Sequence, residues 1–147
     1  MVKVGIVGAN GRMGKTLIEA VVAAEGAELA AAVVHPESSL VGADAGEIAG
    51  VGRLGVSTVD ALSKAIEQID VLVDFTSIEM TLDNIAQCRE AGKSIVIGTT
   101  GFDAAQKAQL SAAALDILQK QPRGDRALQN WLRQLQALQE SAAHRQP

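Results

Sequence analysis

At 147 residues the chain is the size of one domain, and with 48% of its residues apolar it has material for an ordinary buried core. Its formal charge of −4 argues against a nucleic-acid partner. No run of about 18 apolar residues occurs, and the chain enters a strand-like segment at once instead of a basic then apolar leader. Neither a membrane span nor a leader is therefore expected, and the setting is read as cytoplasmic.

Val2-Lys3-Val4-Gly5-Ile6-Val7 is short, β-branched and bounded by glycine, which reads as a buried strand. Met13, Leu17, Ala20, Val21 and Ala24 then recur at helical spacing, so the start of the chain is strand, tight turn, helix. Gly26 punctuates, and Leu29 to Val34 reads as a second strand of a parallel sheet covered on both faces. His35 to Ser57 is rich in Gly, Ala and Asp without periodicity; it reads as a long surface excursion with one short strand near Val56. Leu62, Ile66 and Ile69 suggest a helix, Val71 to Phe75 a strand, and Ile78 to Arg89 another helix, with Thr76-x-x-Glu79 as its capping box. Cys88, the single cysteine, lies in that periodic stretch and reads as a small core hydrophobe; without an intrachain partner it fits a reducing compartment. Ser94 to Ile97 is the next strand, Gly98 to Gly101 a turn, and Asp103 the cap of a helix running through Leu110. Alternation of this kind predicts an α/β fold, a Rossmann-like doubly wound parallel sheet.

After about residue 117 the character changes. Beyond Asp116 only one glycine remains and seven glutamines occur, and the charge shifts from −6 over Met1 to Leu110 to +2 over Ser111 to Pro147. The division expected is a dinucleotide-binding domain over 1–117 and a divergent C-terminal helical tail over 118–147. In the tail, Leu128, Trp131, Leu132, Leu135 and Leu138 fall on one helical face, which packs on the sheet or on a second copy of itself.

The glycines at 8, 11 and 14 sit where the first strand hands over to the helix, and each has a mechanical task in dinucleotide binding. Gly8 permits the tight turn, Gly11 lets backbone N–H groups approach a pyrophosphate, and Gly14 lets the helix sit close to the strand. The helix N-terminus offers partial positive charge to the anion. Gly14-Lys15-Thr16 and Val71-Leu72-Val73-Asp74 imitate the two signatures of P-loop NTPases, but the glycine required five positions before Gly14 is Ala9. Lys15 reads instead as a solvated charge on the helix. About twenty residues after the last glycine, where an acidic residue ordinarily binds the ribose hydroxyls, stands Val34, followed by His35, Pro36 and Glu37. The expected hydroxyl acceptor is therefore missing or comes from Glu37 by a different geometry; losing that charged hydrogen bond weakens NAD binding by roughly 1–3 kcal/mol. It also removes repulsion toward a 2′-phosphate, which His35 or Arg12 is placed to meet, a slight tilt toward NADP; His35 reads equally as an exposed loop histidine.

Taken together, the segments Val7 to Gly14, Ser38 to Gly46, Asp74-Phe75-Thr76 and Ile97 to Phe102 resemble the 4-hydroxy-tetrahydrodipicolinate reductase family, NAD(P)H-dependent enzymes of lysine and diaminopimelate synthesis. The resemblance covers roughly residues 2–117. It implies that Gly8, Ala9, Asn10, Gly11, Arg12 and Met13 hold the pyrophosphate of NADPH or NADH. It further implies that Gly98, Thr99 and Thr100 lie against the nicotinamide end, with Phe75 and Thr76 beside them; a strand end and a helix cap are the plain alternative for that pair. Where the family carries an acidic residue followed by arginine, this chain has Val34-His35. The family's later strand, Asn-Phe-Ser loop and substrate domain, with its paired histidines and catalytic lysine, are not matched; the histidines here are His35 and His144. Hydride delivery to an unsaturated ring needs a proton donor and a cationic carboxylate site. No catalytic residue and no metal ligand is therefore assigned, and a truncated form that binds nucleotide without reducing substrate alone is expected. The competing readings are a non-catalytic dimerising or regulatory nucleotide-binding domain, using the C-terminal helix for homo-oligomerisation, and a P-loop NTPase.

Overall fold

The computed structural model describes residues 1–99 and 101–120. The tail stripe from Leu128 to Leu138, and any homo-oligomer built on it, lie outside the described residues.

Four parallel strands, β1 (Val2–Val7), β2 (Ala27–Val33), β3 (Val71–Asp74) and β4 (Ser94–Ile97), form a sheet in the order β2-β1-β3-β4. Helices α1 (Arg12–Ala23), α3 (Ile78–Ala91) and α4 (Ala104–Lys120) connect or follow them, with a short α2 (Ala45–Ala49) after β2. The sheet is buried on both faces, as the near-continuous apolar runs of β1 and β3 require. On one face Leu17, Ile18 and Val21 of α1 pack against Val4, Ile6, Val71 and Val73; on the other, Leu62, Ile66, Ile69 and Cys88 pack against Val7, Val33 and Leu72. Each fully buried Val, Leu or Ile contributes about 1.5–3 kcal/mol relative to exposure. Cys88 is indeed core: burial foremost, and then the neighbouring Asp74 carboxylate, push its thiol up to about 12.

The excursion after β2 is more ordered than its composition suggests, because Asp44 ties it together. As the N-cap of α2, its carboxylate accepts from Glu47 N–H at 3.1 Å and also from the amides of Leu54 at 3.0 Å, Gly55 at 2.7 Å and Val56 at 3.1 Å. Ala45 and Ala49 of α2 then join the core cluster beneath α1. A helix of five residues is too short to show a period, and its anchoring bonds span up to 12 positions, so the segment reads as irregular in sequence. The strand expected near Val56 reduces to bridges of Ser57 with Asp44 and of Val59 with Val33.

The helix expected around Leu62 to Ile69 is instead two 3₁₀ turns, Leu62–Lys64 and Ile66–Gln68, broken at Ala65. The buried residues explain this: Leu62 with Ala65 and Ile66 with Ile69 recur every three positions, the 3₁₀ period. The capping box expected at Thr76 is displaced by one residue. Ser77 caps α3, accepting from Met80 N–H at 3.3 Å, because the Thr76 hydroxyl is drawn to Asp74 at 2.6 Å. Asp103 does cap α4, through a reciprocal pair in which its carboxylate accepts from Gln106 N–H and the Gln106 side chain accepts from Asp103 N–H. That helix continues past Leu110 to Lys120.

The Leu54 amide foremost, and then those of Glu47, Gly55 and Val56, hold the Asp44 carboxyl below its ordinary 3.8. A depressed folded value contributes stability that is complete above 3.8 and is lost as the pH falls through the folded value. Asp44→Asn is therefore expected to lower the thermal midpoint at neutral pH, with the gap from wild type closing in acid. A gap that stays constant through that acid range rules out the ionised carboxylate as its source.

Candidate functional site

The chain leaves β1 through Gly8, whose φ of 71° is left-handed and strained for any residue with a Cβ. The turn is held by Gly11 N–H donating to the Gly8 carbonyl at 3.0 Å and by Ala9 N–H donating to the Val33 carbonyl of β2 at 3.1 Å. Helix α1 then starts so close to this turn that a Cβ on Gly14 would overlap the Gly8 carbonyl oxygen and the Ala9 backbone. Its N-cap is Gly11, with no side-chain cap and no acidic residue in the first turn. The amides of Arg12, Met13 and Gly14 thus lack partners within their own helix, whereas Asp44, Ser77 and Asp103 satisfy the corresponding groups of the other helices.

This turn lies at the switch point of the sheet, where β1 connects to β2 on one side and pairs with β3 on the other. The loops after β3 and β4 converge on it. A Cβ on Gly8 would touch the Thr76 methyl at 3.3 Å, and the Phe75 ring lies directly over Gly98. Gly98 N–H donates to the Asp74 carbonyl at 2.7 Å, and the Thr81 hydroxyl donates to that of Thr99 at 2.8 Å. Asp74 organises the junction. Fully buried at the end of β3, its carboxylate accepts from Thr76 N–H at 2.9 Å, the Thr76 hydroxyl at 2.6 Å and Asn84 Nδ2 at 3.0 Å.

Beside the glycine turn opens a cleft of about 440 Å³. Its lining comes from the turn (Gly8, Asn10), the segment that follows β2 (Val34, His35, Pro36), Asp60 to Leu62, Thr76 after β3, and Met80, Asp83, Asn84 and Gln87 of α3. The residues expected from sequence therefore fall into three groups. Gly8, Asn10, His35 and Thr76 line the cleft. Gly11, Arg12 and Met13 are exposed at the open end of α1, with Ala9 buried beneath them. Phe75, Gly98 and Thr99 form the adjoining loop pair, and Thr100 lies outside the described residues. His35 is exposed, and its Nδ1 accepts from Glu37 N–H at 3.1 Å, which assigns the remaining proton of the neutral ring to Nε2. Sequence reasoning did not single out Asp60, Met80, Asp83, Asn84 or Gln87, since pairing across the fold brings them to the cleft and no local motif marks them.

The geometry also bears on the P-loop imitation. Lys15 is exposed on α1. Asp74 is enclosed, with its oxygens engaged by Thr76 and Asn84 in place of a magnesium ion or its waters.

Because nothing can yield around Gly14 except backbone, Gly14→Ala is expected to destabilise the chain by about 1–3 kcal/mol in denaturant unfolding. An unchanged midpoint would show that α1 is not held this close to the turn.

The family model described as "Dihydrodipicolinate reductase, N-terminus" matches residues 2–119. A 4-hydroxy-tetrahydrodipicolinate reductase of Hahella chejuensis (strain KCTC 2396) is 57% identical over 116 residues, covering 79% of this chain and 43% of that protein. The chain thus spans less than half the length of that relative. Among solved structures, a dipicolinate-bound dihydrodipicolinate reductase from Paenisporosarcina sp. TG-14 is 25% identical, with a TM-score of 0.60 over 79% of this chain and 44% of that one. GenD2 of gentamicin A biosynthesis, in complex with NAD, shares the fold at a TM-score of 0.64 and 23% identity over 79% of this chain and 32% of that one. The α/β sheet, the glycine turn and these matches agree: the chain belongs to the dihydrodipicolinate reductase family and carries its N-terminal, nucleotide-binding domain.

Proposed function

We propose that this domain binds NADH or NADPH, with the pyrophosphate on the Gly8 to Met13 turn, the adenosine in the cleft beside His35, and the nicotinamide toward Phe75, Thr76, Gly98, Thr99 and Thr100. The unit that does so spans residues 1–117, in the cytoplasm. The observation that carries this reading is the α1 N-terminus. It has no side-chain cap, opens beside the cleft at the sheet's switch point, and bears the exposed Arg12 in its first turn.

The arrangement has physical consequences for each part of the ligand. Backbone amides and the helix dipole favour the doubly charged pyrophosphate, and Gly11 leaves the approach free of side-chain atoms. At the other end, the side chains in contact with Gly98 and Thr99 are the Phe75 ring and the Thr81 hydroxyl, and the nearby Asp74 carboxylate is enclosed and taken up by Thr76 and Asn84. They suit a flat amide-bearing ring. Reduction of a dipicolinate-like substrate also needs a proton donor and cations for its carboxylates. The described residues of the cleft include no lysine or arginine for those carboxylates, so we assign to this domain the dinucleotide and not the substrate.

Titration with NADH and NADPH, followed by nicotinamide fluorescence, is expected to show saturable binding. Arg12→Ala should weaken both cofactors alike by up to about tenfold, since it faces the phosphates they share, while Lys15→Ala leaves them unchanged. Absence of binding by both at about millimolar cofactor would overturn the reading. ATP turnover abolished by Lys15→Ala would replace it with the NTPase one.

A further inference from the structure

The position that ordinarily holds the ribose-binding carboxylate, at the tip of the second strand, is occupied here by Val34, which is buried. A ribose bound in the cleft still needs an acceptor for its hydroxyls. The structure supplies one from a different element. Val59 pairs in parallel with Val33, through Val59 N–H to the Ala32 carbonyl at 3.0 Å and Val34 N–H to the Val59 carbonyl at 2.9 Å. This bridge extends the sheet by one residue beyond β2, and the next residue along it, Asp60, comes to lie beside Val34. Asp60 lines the same cleft as Gly8, Val34 and His35.

Resting on the cofactor reading above, we infer that Asp60 is the residue that binds the adenosine ribose hydroxyls, and that it makes this domain selective for NADH over NADPH. The carboxylate is prepared for that task by Lys64, whose ammonium lies 2.6 Å from Oδ1. The bond to Lys64 holds Asp60 below its ordinary 3.8, so it is ionised at neutral pH. With Oδ1 engaged by Lys64, Oδ2 is the oxygen left for a ligand hydroxyl.

The same groups oppose a 2′-phosphate. Among the described residues lining the cleft are two carboxylates, Asp60 and Asp83, and no lysine or arginine. Asp83 accepts from Gln87 Nε2 at 2.8 Å, a bond to a neutral amide that leaves its charge in place. Lys64 is already committed to Asp60, so turning it to a phosphate breaks that pair and sets the phosphate against the freed carboxylate. His35, the histidine placed to meet a phosphate, has its Nδ1 occupied by the hydrogen bond it accepts from Glu37 N–H. Arg12, the other cation read as placed to meet a 2′-phosphate, is not among the described residues lining the cleft, so the slight tilt toward NADP suggested by the sequence is reversed.

The test is a calorimetric titration of the full chain, and of its Asp60→Asn variant, with NADH, NADPH and the 2′-deoxy analogue of NADH. Asp60 is a partly exposed side chain, and asparagine matches its size; circular dichroism checks that the variant folds. Wild type is expected to bind NADH about tenfold or more tightly than NADPH, and to lose about tenfold on removal of the 2′-hydroxyl. Asp60→Asn should lose a similar factor for NADH, gain for NADPH, and respond little to the 2′-deoxy change, because the hydroxyl's partner has already been removed. NADPH bound as tightly as NADH by wild type, or NADH binding unaltered by Asp60→Asn, overturns the assignment of Asp60 while leaving the cofactor reading in place. Binding of neither dinucleotide overturns both.

Discussion

The close seating of α1 on the turn that follows β1 governs the rest of this domain. Gly14 rests against the Gly8 carbonyl and the Ala9 backbone with no room for a methyl group. That contact sets the angle at which α1 leaves the sheet. It brings Leu17, Ile18 and Val21 down onto β1 and β3, and it leaves the first amides of the helix pointing outward over the sheet's switch point. A larger residue at position 14 would lift the helix, loosening the core and moving the amides together. Stability and the placement of those amides therefore depend on the same few atoms.

Polar groups within the fold serve mainly to hold loops where no strand or helix can. The Asp44 carboxylate gathers four backbone amides and turns the excursion after β2 into a folded flap over α1. The Asp74 carboxylate, fully buried, takes two donors from Thr76 and one from Asn84, locking the loop after β3 to α3. A buried carboxylate without partners would be costly, and with three hydrogen bonds it becomes a rigid joint. Thr76 and Asn84 both line the cleft, so the joint also shapes the surface offered to a ligand.

Side-chain caps are unevenly distributed among the α-helices. Helices α2, α3 and α4 begin with a side chain that accepts an amide, and α1 does not. Among the described α-helices, the exception coincides with the glycine turn and the cleft. Electrostatics then divide the region: the helix dipole is positive at the turn, and the carboxylates of Asp60 and Asp83 are negative in the lining of the cleft.

Much of this was legible in the chain itself. The alternation of apolar runs, the β1 and α1 boundaries, Asp103 as a cap and the glycines at 8, 11 and 14 follow from local spacing and backbone freedom, properties a sequence carries directly. They were enough to establish a doubly wound sheet and the glycine turn that follows its first strand. The residues that only the tertiary structure decided are those placed by pairing across long separations. Asp60 reaches the cleft because Val59 pairs with Val33, 26 positions away, and Asp44 orders its flap through amides 10 to 12 residues distant. The move of the α3 cap from Thr76 to Ser77 belongs to the same class, since a buried carboxylate competes for the threonine hydroxyl. Local periodicity encodes which face of an element is apolar, whereas the partner of a loop carboxylate depends on which backbone amides the finished sheet brings within 3 Å of it.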